Sequence, residues 1–225
     1  QFADKLENSS DFKSDLSNLI KETIKKHKRI IFNGNGYDQS WVKEAEERGL
    51  SNLKTTPEAL PALIHPKNVE MFKLHGVFTE DELKSRYDIL LENYSKTINI
   101  EALTMIDMVN KQVIPAVLAY ESELAELILL KKAVSAEITT CPEENLLNKI
   151  AKLSECLGKR LEHLSEQTIA VREIKDNLEL AKAYREKVYT AMNELRLKVD
   201  ELEMLISSKH WQIPTYAEIL NSVNE

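Results

Sequence analysis

The chain has 225 residues, 43% hydrophobic and 30% charged, with a formal net charge of −7. That size and balance suit one large or two small soluble domains, and the acidic total argues against a nucleic-acid binder, which normally presents a basic face. No apolar run reaches the ~20 residues of a membrane span and no signal peptide opens the sequence, so neither nucleic acid nor membrane is expected as a partner.

The opening QFADKLE has no Met and reads as the tail of a helix already under way, which gives the expectation of an excised fragment. Ser10 or Asp11 can cap a first helix over 10–28, with Leu16, Leu19, Ile20 and Ile24 along one face. The basic cluster Lys25 to Arg29 falls in its last turn, where cations suit the negative dipole end. A short apolar run, RIIF, leads into NGNG at 33–36, two Asn-Gly pairs that readily supply positive φ. Ser40 is the expected cap of a short helix from Trp41 to Arg48, stopped by Gly49. Thr56 and Pro57 predict an N-cap followed by Pro at the first helical position, with Pro61 disturbing that helix. Pro66 opens another helix, closed near Gly76.

A single long helix is predicted over 79–138. Thr79 caps it, and Glu82 three residues later completes a capping box. Its first half is apolar on more than one face yet carries Glu92, Lys96 and Glu101, so it is expected to be buried on several sides with its charges partnered. Its second half narrows to one stripe. Pro115 removes a backbone donor, which predicts a kink near 111–114.

Two further helices follow. Thr140 with Glu143 predicts a capping box ahead of a stripe of Leu146, Ile150, Leu153, Leu157, Leu161, Leu164, Thr168 and Val171. Asp176 with Glu179 opens the last long helix, whose stripe is Leu178, Ala181, Arg185, Val188, Met192, Leu195, Val199, Leu202 and Ile206. Arg185 is its one charged position, read as a stem that snorkels to water. Three arms of similar length with short connections predict an antiparallel three-helix bundle. Thr215 and Glu218 make a final capping box after SSKHWQIP. The fold class is therefore all-α: short helices packed on a long kinked helix that runs into the bundle. The division expected is a compact helical part over 1–105, the bundle over 106–208, and an aromatic segment with a short helix over 209–225.

Candidate chemistry is thin. NGNG lacks the spacing of a phosphate-binding loop and reads as a turn. Cys141 and Cys156 are the only cysteines, too few for a disulfide framework or zinc site, and fit unpaired thiols in a reducing cytoplasm. None of the five histidines has a neighbour at metal-ligand spacing. Glu92 and Lys96 stand at i and i+4 in the favourable order and read as a structural ion pair. Trp211 and Tyr216 either stack back on the protein or anchor a neighbouring subunit. No catalytic, cofactor-binding or metal residue is assigned.

Four strings carry a resemblance: NYSKTINIEALTMIDMVNKQVIPAV within the long helix, RIIFNGNGY at 29–37, LKTTPEALPALI at 53–64, and DELEML with a later W.IPTY at 200–216. In this order they resemble the C-terminal region of type III glutamine synthetases, the long bacterial form. That resemblance implies a parent enzyme that joins glutamate and ammonia through a γ-glutamyl phosphate, using ATP and Mg²⁺ or Mn²⁺. It also implies a homo-oligomer, a dodecamer of two rings. The family's metal glutamates and phosphate-binding arginines lie upstream of RIIFNGNGY, so no site residue carries over and no cofactor is expected in this segment. The chain is then expected to be an inert helical domain that packs on an upstream catalytic domain of the same chain. Its role would be oligomer assembly or docking of a regulator. Two alternatives stay open, a free-standing helical adaptor and an enzyme with a site near residues 29–101.

Overall fold

The computed structural model describes residues 2–214 and 216–222. Packing divides the chain into two compact units, Gln1–Lys54 and Thr55–Glu225. Within the described residues every regular element is helical.

In the first unit, α1 (Phe2–Leu6) lies against α2 (Phe12–His27). Of the two candidate caps, Asp11 is the one used; its carboxylate accepts from the Ser14 amide at 3.3 Å. Lys25, Lys26 and His27 form the last turn of α2, as the dipole argument requires. The segment that follows is held by Arg48, whose Nη1 donates to the carbonyls of Ile31 (2.8 Å) and Arg29 (3.3 Å). The Phe32 ring stacks on Trp41 at 3.8 Å.

NGNG does not use positive φ; among the described residues only Gly49 and Gly76 do. Gly34 serves a different need. A Cβ there would stand 2.4 Å from the Phe32 ring, so glycine lets that ring fold over the backbone. The cap of α3 (Gln39–Glu47) is Asp38 rather than Ser40, because the Asp38 carboxylate reaches the Ser40 amide at 2.7 Å. Gly49, at φ +71°, ends that helix in the left-handed conformation.

The second unit opens with α4 (Thr56–Ala59), capped one residue earlier than expected: the Thr55 amide donates to the Glu58 carboxylate at 3.0 Å, and Pro57 is buried. A single 3₁₀ turn at Leu60–Ala62 absorbs Pro61. After α5 (Pro66–Leu74), the Thr79–Glu82 capping box forms as read, with Thr79 N–H to Glu82 Oε2 at 2.8 Å and Glu82 N–H to Thr79 Oγ1 at 3.3 Å.

The long helix runs for 55 residues as α6 (Glu80–Met108), a π-helical turn (Val109–Val113) and α7 (Ile114–Val134). The kink expected near 111–114 coincides with that π turn. A wide turn shifts the ladder by one residue, and Pro115 then sits at the start of a new α-helical run, where a missing N–H costs little. The helix ends at Val134, short of 138, with Ser135 extended. α6 buries one stripe: Leu83, Tyr87, Leu91, Ser95, Ile98 and Ala102. The expectation of burial on several sides is not met, because the second unit covers only that stripe. Ile89, Ile100 and Leu103 remain exposed.

α8 (Cys141–Ala170) returns against α7 and, beyond the π turn, against α6. The Thr140–Glu143 box does not form. Thr140 Oγ1 donates to Glu144 Oε1 at 2.8 Å instead, and Glu143 pairs with Lys131. Both glutamates are drawn across the hairpin by the lysines ending α7, for Lys132 also holds Glu144 at 2.6 Å.

The third arm is α9 (Asn177–Ala183), a second π turn (Tyr184–Val188) and α10 (Tyr189–Glu203). Asp176 caps it, accepting from the Glu179 amide at 2.9 Å. α9 lies against α6, whereas α10 leans towards α8. One core joins all three arms, with Val117 and Leu124, Ile150, Leu157 and Leu164, and Val188, Leu195 and Leu202 at its centre. The chain closes on α11 (Tyr216–Asn221). Thr215, the expected cap there, lies outside the described residues, as does the Tyr216 side chain. The boundary expected at 105/106 falls inside α6, while the packing units meet at 54/55.

Candidate functional site

Glu92 and Lys96 do form the pair read from their spacing, with Nζ 2.6 Å from Oε1. Both side chains are more than half exposed, so the pair lies on a solvated helix face and contributes little. Glu101 stands apart from it, one turn further along.

Trp211 packs back against the bundle core together with Ile213. The neighbouring His210 Nε2 lies 2.6 Å from Glu123 Oε2, which Lys209 also reaches at 3.3 Å. These contacts, that of His210 first, hold the Glu123 carboxyl below its ordinary range. They fasten residues 209–211 to α7. The indole Nε1–H of Trp211 is buried without a hydrogen-bond acceptor.

Around Trp211 lies a groove that the sequence did not single out. Because α9 follows α6 while α10 leans to α8, the long helix and α10 part company, and a cavity of about 570 Å³ opens between them. Met105, Met108, Val109, Met192 and Val199 line it on the helix side, and Trp211, Ile213 and Pro214 on the other. Glu101, Arg196, Asp200 and Glu203 are its charged members, and Thr104 is polar and uncharged. The available signal was Met105 and Met108, three residues apart on one helical face in TMIDM.

Another polar group faces the core. Glu121 stands on the α7 stripe between Val117 and Leu124, with Oε1 buried and unpartnered. Burial pushes its carboxyl above the ordinary range. The described residues hold no group of three His, Cys, Asp or Glu that could grip a metal ion. Cys141 and Cys156 are exposed free thiols. NGNG forms a turn in which the Tyr37 amide donates to Asn35 Oδ1 at 3.1 Å. No helix among the described residues is long and apolar enough to cross a membrane.

The family described as glutamine synthetase C-terminal domain matches residues 15–132. Similar proteins include a glutamine synthetase of Butyrivibrio fibrisolvens, 42% identical over 95% of this chain and 30% of its own length. A type-3 glutamine synthetase of Dictyostelium discoideum is 34% identical over 90% of this chain and 28% of its own. A glutamine synthetase of Bacteroides fragilis is 27% identical over the same shares, 90% and 28%. The chain thus spans under a third of the length of these relatives. The family match covers α6 and nearly all of α7, and the similarity to the relatives extends through the rest of the bundle. This chain belongs to the glutamine synthetase C-terminal domain family.

Proposed function

We propose that this chain is a non-catalytic helical part of a cytoplasmic type III glutamine synthetase and that it serves oligomer assembly or regulator docking. The parent would join glutamate and ammonia, with ATP and Mg²⁺ or Mn²⁺ held by an upstream catalytic region. That region and further copies of the chain, a dodecamer in the parent, would be its partners. The observation that supports this reading most is the uncovered side of α6. At 100° per residue, Ile89, Ile100 and Leu103 lie opposite the buried stripe of Leu83, Leu91 and Ala102. A helix that is apolar on both sides but covered on one suits a second body against the other.

The pairing of the polar groups supports the same reading. Lys131, Lys132, Arg160 and Lys182 each hold a carboxylate partner of the bundle. Phosphoryl transfer needs cations and metals placed around a reacting phosphate, and these cations are already engaged with neighbours.

The chain should show no γ-glutamyl transfer when supplied with glutamate, ammonia or hydroxylamine, ATP and Mg²⁺. Measurable turnover would overturn the non-catalytic reading. Light scattering then divides the two roles: a mass above that of one chain supports assembly, and a single-chain mass supports docking.

A further inference from the structure

The groove beside Trp211 has an apolar floor and an acidic rim. Three methionines, Met105, Met108 and Met192, give the floor flexible, polarizable side chains that adapt to varied apolar shapes. On the rim, Arg196 lies 3.6 Å from Asp200 and offsets that carboxylate. Glu101 and Glu203 have no ion-pair partner among the described residues, so the rim is net negative.

Its dimensions define what fits. The wall on the long helix extends from Ile100 to Val113, and the wall on α10 from Met192 to Glu203. At ~1.5 Å per residue these walls are roughly 17–20 Å long, equal to three or four helical turns. A cavity of about 570 Å³ along that trench has room for several Leu- or Phe-sized side chains. The trench between the two helices is bordered on its remaining side by Trp211, Ile213, Pro214 and Ile219, and a groove of this kind is the geometry in which an amphipathic helix seats i, i+4 and i+7 anchors.

We infer that this groove docks an amphipathic α-helix of a partner protein, whose apolar anchors settle among Met105, Met108 and Met192 while Lys or Arg residues along its margin face Glu101 and Glu203. The charge of the rim selects a basic helix, and the methionine floor tolerates variation in the anchors. This rests on the docking side of the proposed function and gives it a location and a partner chemistry.

The test uses the 225-residue chain and two labelled peptides of about 18 residues, five helical turns. One is an amphipathic helix of leucine and lysine; in the other glutamate replaces every lysine. Fluorescence anisotropy should show the leucine–lysine peptide binding at least tenfold more tightly. Ile100→Lys and Met108→Lys should each weaken it tenfold or more. The double variant Glu101→Lys/Glu203→Lys should reverse the preference towards the leucine–glutamate peptide. Leu130→Asp, on the exposed side of α7, should change binding less than twofold. Circular dichroism and thermal melting confirm that each variant is folded, and the exposed position of Glu101 keeps the charge reversal compatible with the fold. Binding of neither peptide, equal binding of both, or a preference unmoved by the double reversal overturns the inference. Failure to bind in a chain that also lacks γ-glutamyl transfer removes this docking site alone, whereas turnover removes the non-catalytic reading itself.

Discussion

The Tyr184 hydroxyl donates to Asn99 Oδ1 at 3.2 Å, joining the third arm of the bundle to α6 across 85 residues of sequence. Tyr184 opens the second π turn and is 5% exposed, so ring and hydroxyl are both engaged. The wide turn admits one extra residue, which brings Tyr184 to the core and carries Arg185 to its margin. There the Arg185 guanidinium lies 4.3 Å from the centre of the Tyr189 ring. Tyr184→Phe keeps the ring and loses the bond, and should cost about 1 kcal/mol. Tyr184→Ala also leaves a cavity and should cost about 3–5 kcal/mol, the range for large aromatic truncations. Urea unfolding curves with equal slopes would check both; equal losses for the two variants would show that the hydroxyl, not the ring, carries the contact.

The core should be sharply graded. Leu164 and Leu195 are both fully buried, on α8 and α10, at the centre of the bundle. Each Leu→Ala change there should cost about 2–5 kcal/mol. Leu129, 69% exposed on α7, should tolerate the same change within about 0.5 kcal/mol. A loss at Leu129 comparable to that at Leu164 would mean that a second copy covers α7 in solution.

Pro115 offers a test of how the π turn works. In an ordinary helix interior proline costs about 3 kcal/mol, so replacing it by alanine would return that amount. Here the turn at Val109–Val113 has already shifted the ladder, and Pro115 stands at the start of α7. Pro115→Ala should therefore alter stability by under about 1 kcal/mol, measured by chemical denaturation. A gain near the full interior value would show that the proline strains the helix rather than fitting it.

Most of the architecture was legible because it rests on spacing. The α8 stripe of Ile150, Leu157 and Leu164 is buried as its three-and-four rhythm requires, and the Thr79–Glu82 box closes as read. The π turns were not legible, since a one-residue insertion leaves apolar residues on both sides of it in good rhythm. The third stripe therefore ran through Arg185, when Tyr184 is the residue that turns inward. Two caps moved by a residue or two among adjacent short polar side chains, to Asp38 from Ser40 and to Thr55 from Thr56. Glu143 was lost to its proposed box for an electrostatic reason, because Lys131 across the hairpin outcompetes a local backbone amide. The groove arises from the divergence of α10 from the long helix. No periodicity within one element records that tertiary fact.

Glu121 and Glu143 should impose opposite pH dependences on the same bundle. The Lys131 contact, first among its causes, lowers the Glu143 pKa. The folded chain therefore releases that proton more readily than the unfolded one, and the stabilisation is present above the unfolded carboxylate range and lost as pH falls through the folded value. Glu121 works the other way. Burial raises its pKa, so the folded chain retains a proton that the unfolded chain has given up, and the penalty is present above the folded value and relieved as pH falls. Glu121→Leu removes a buried oxygen without a partner and should stabilise the bundle at pH 7 by about 1 kcal/mol, a rise of about 2–4 °C in Tm. That gain should shrink as the pH is lowered through the carboxylate range, while Glu143→Gln should lose stability at pH 7 and converge on the parent chain in acid. Melting curves of the three proteins between neutral and acidic pH decide the matter: a Glu121→Leu gain that stays constant across the range would mean that the carboxyl is not charged against its burial, and that packing alone sets the difference.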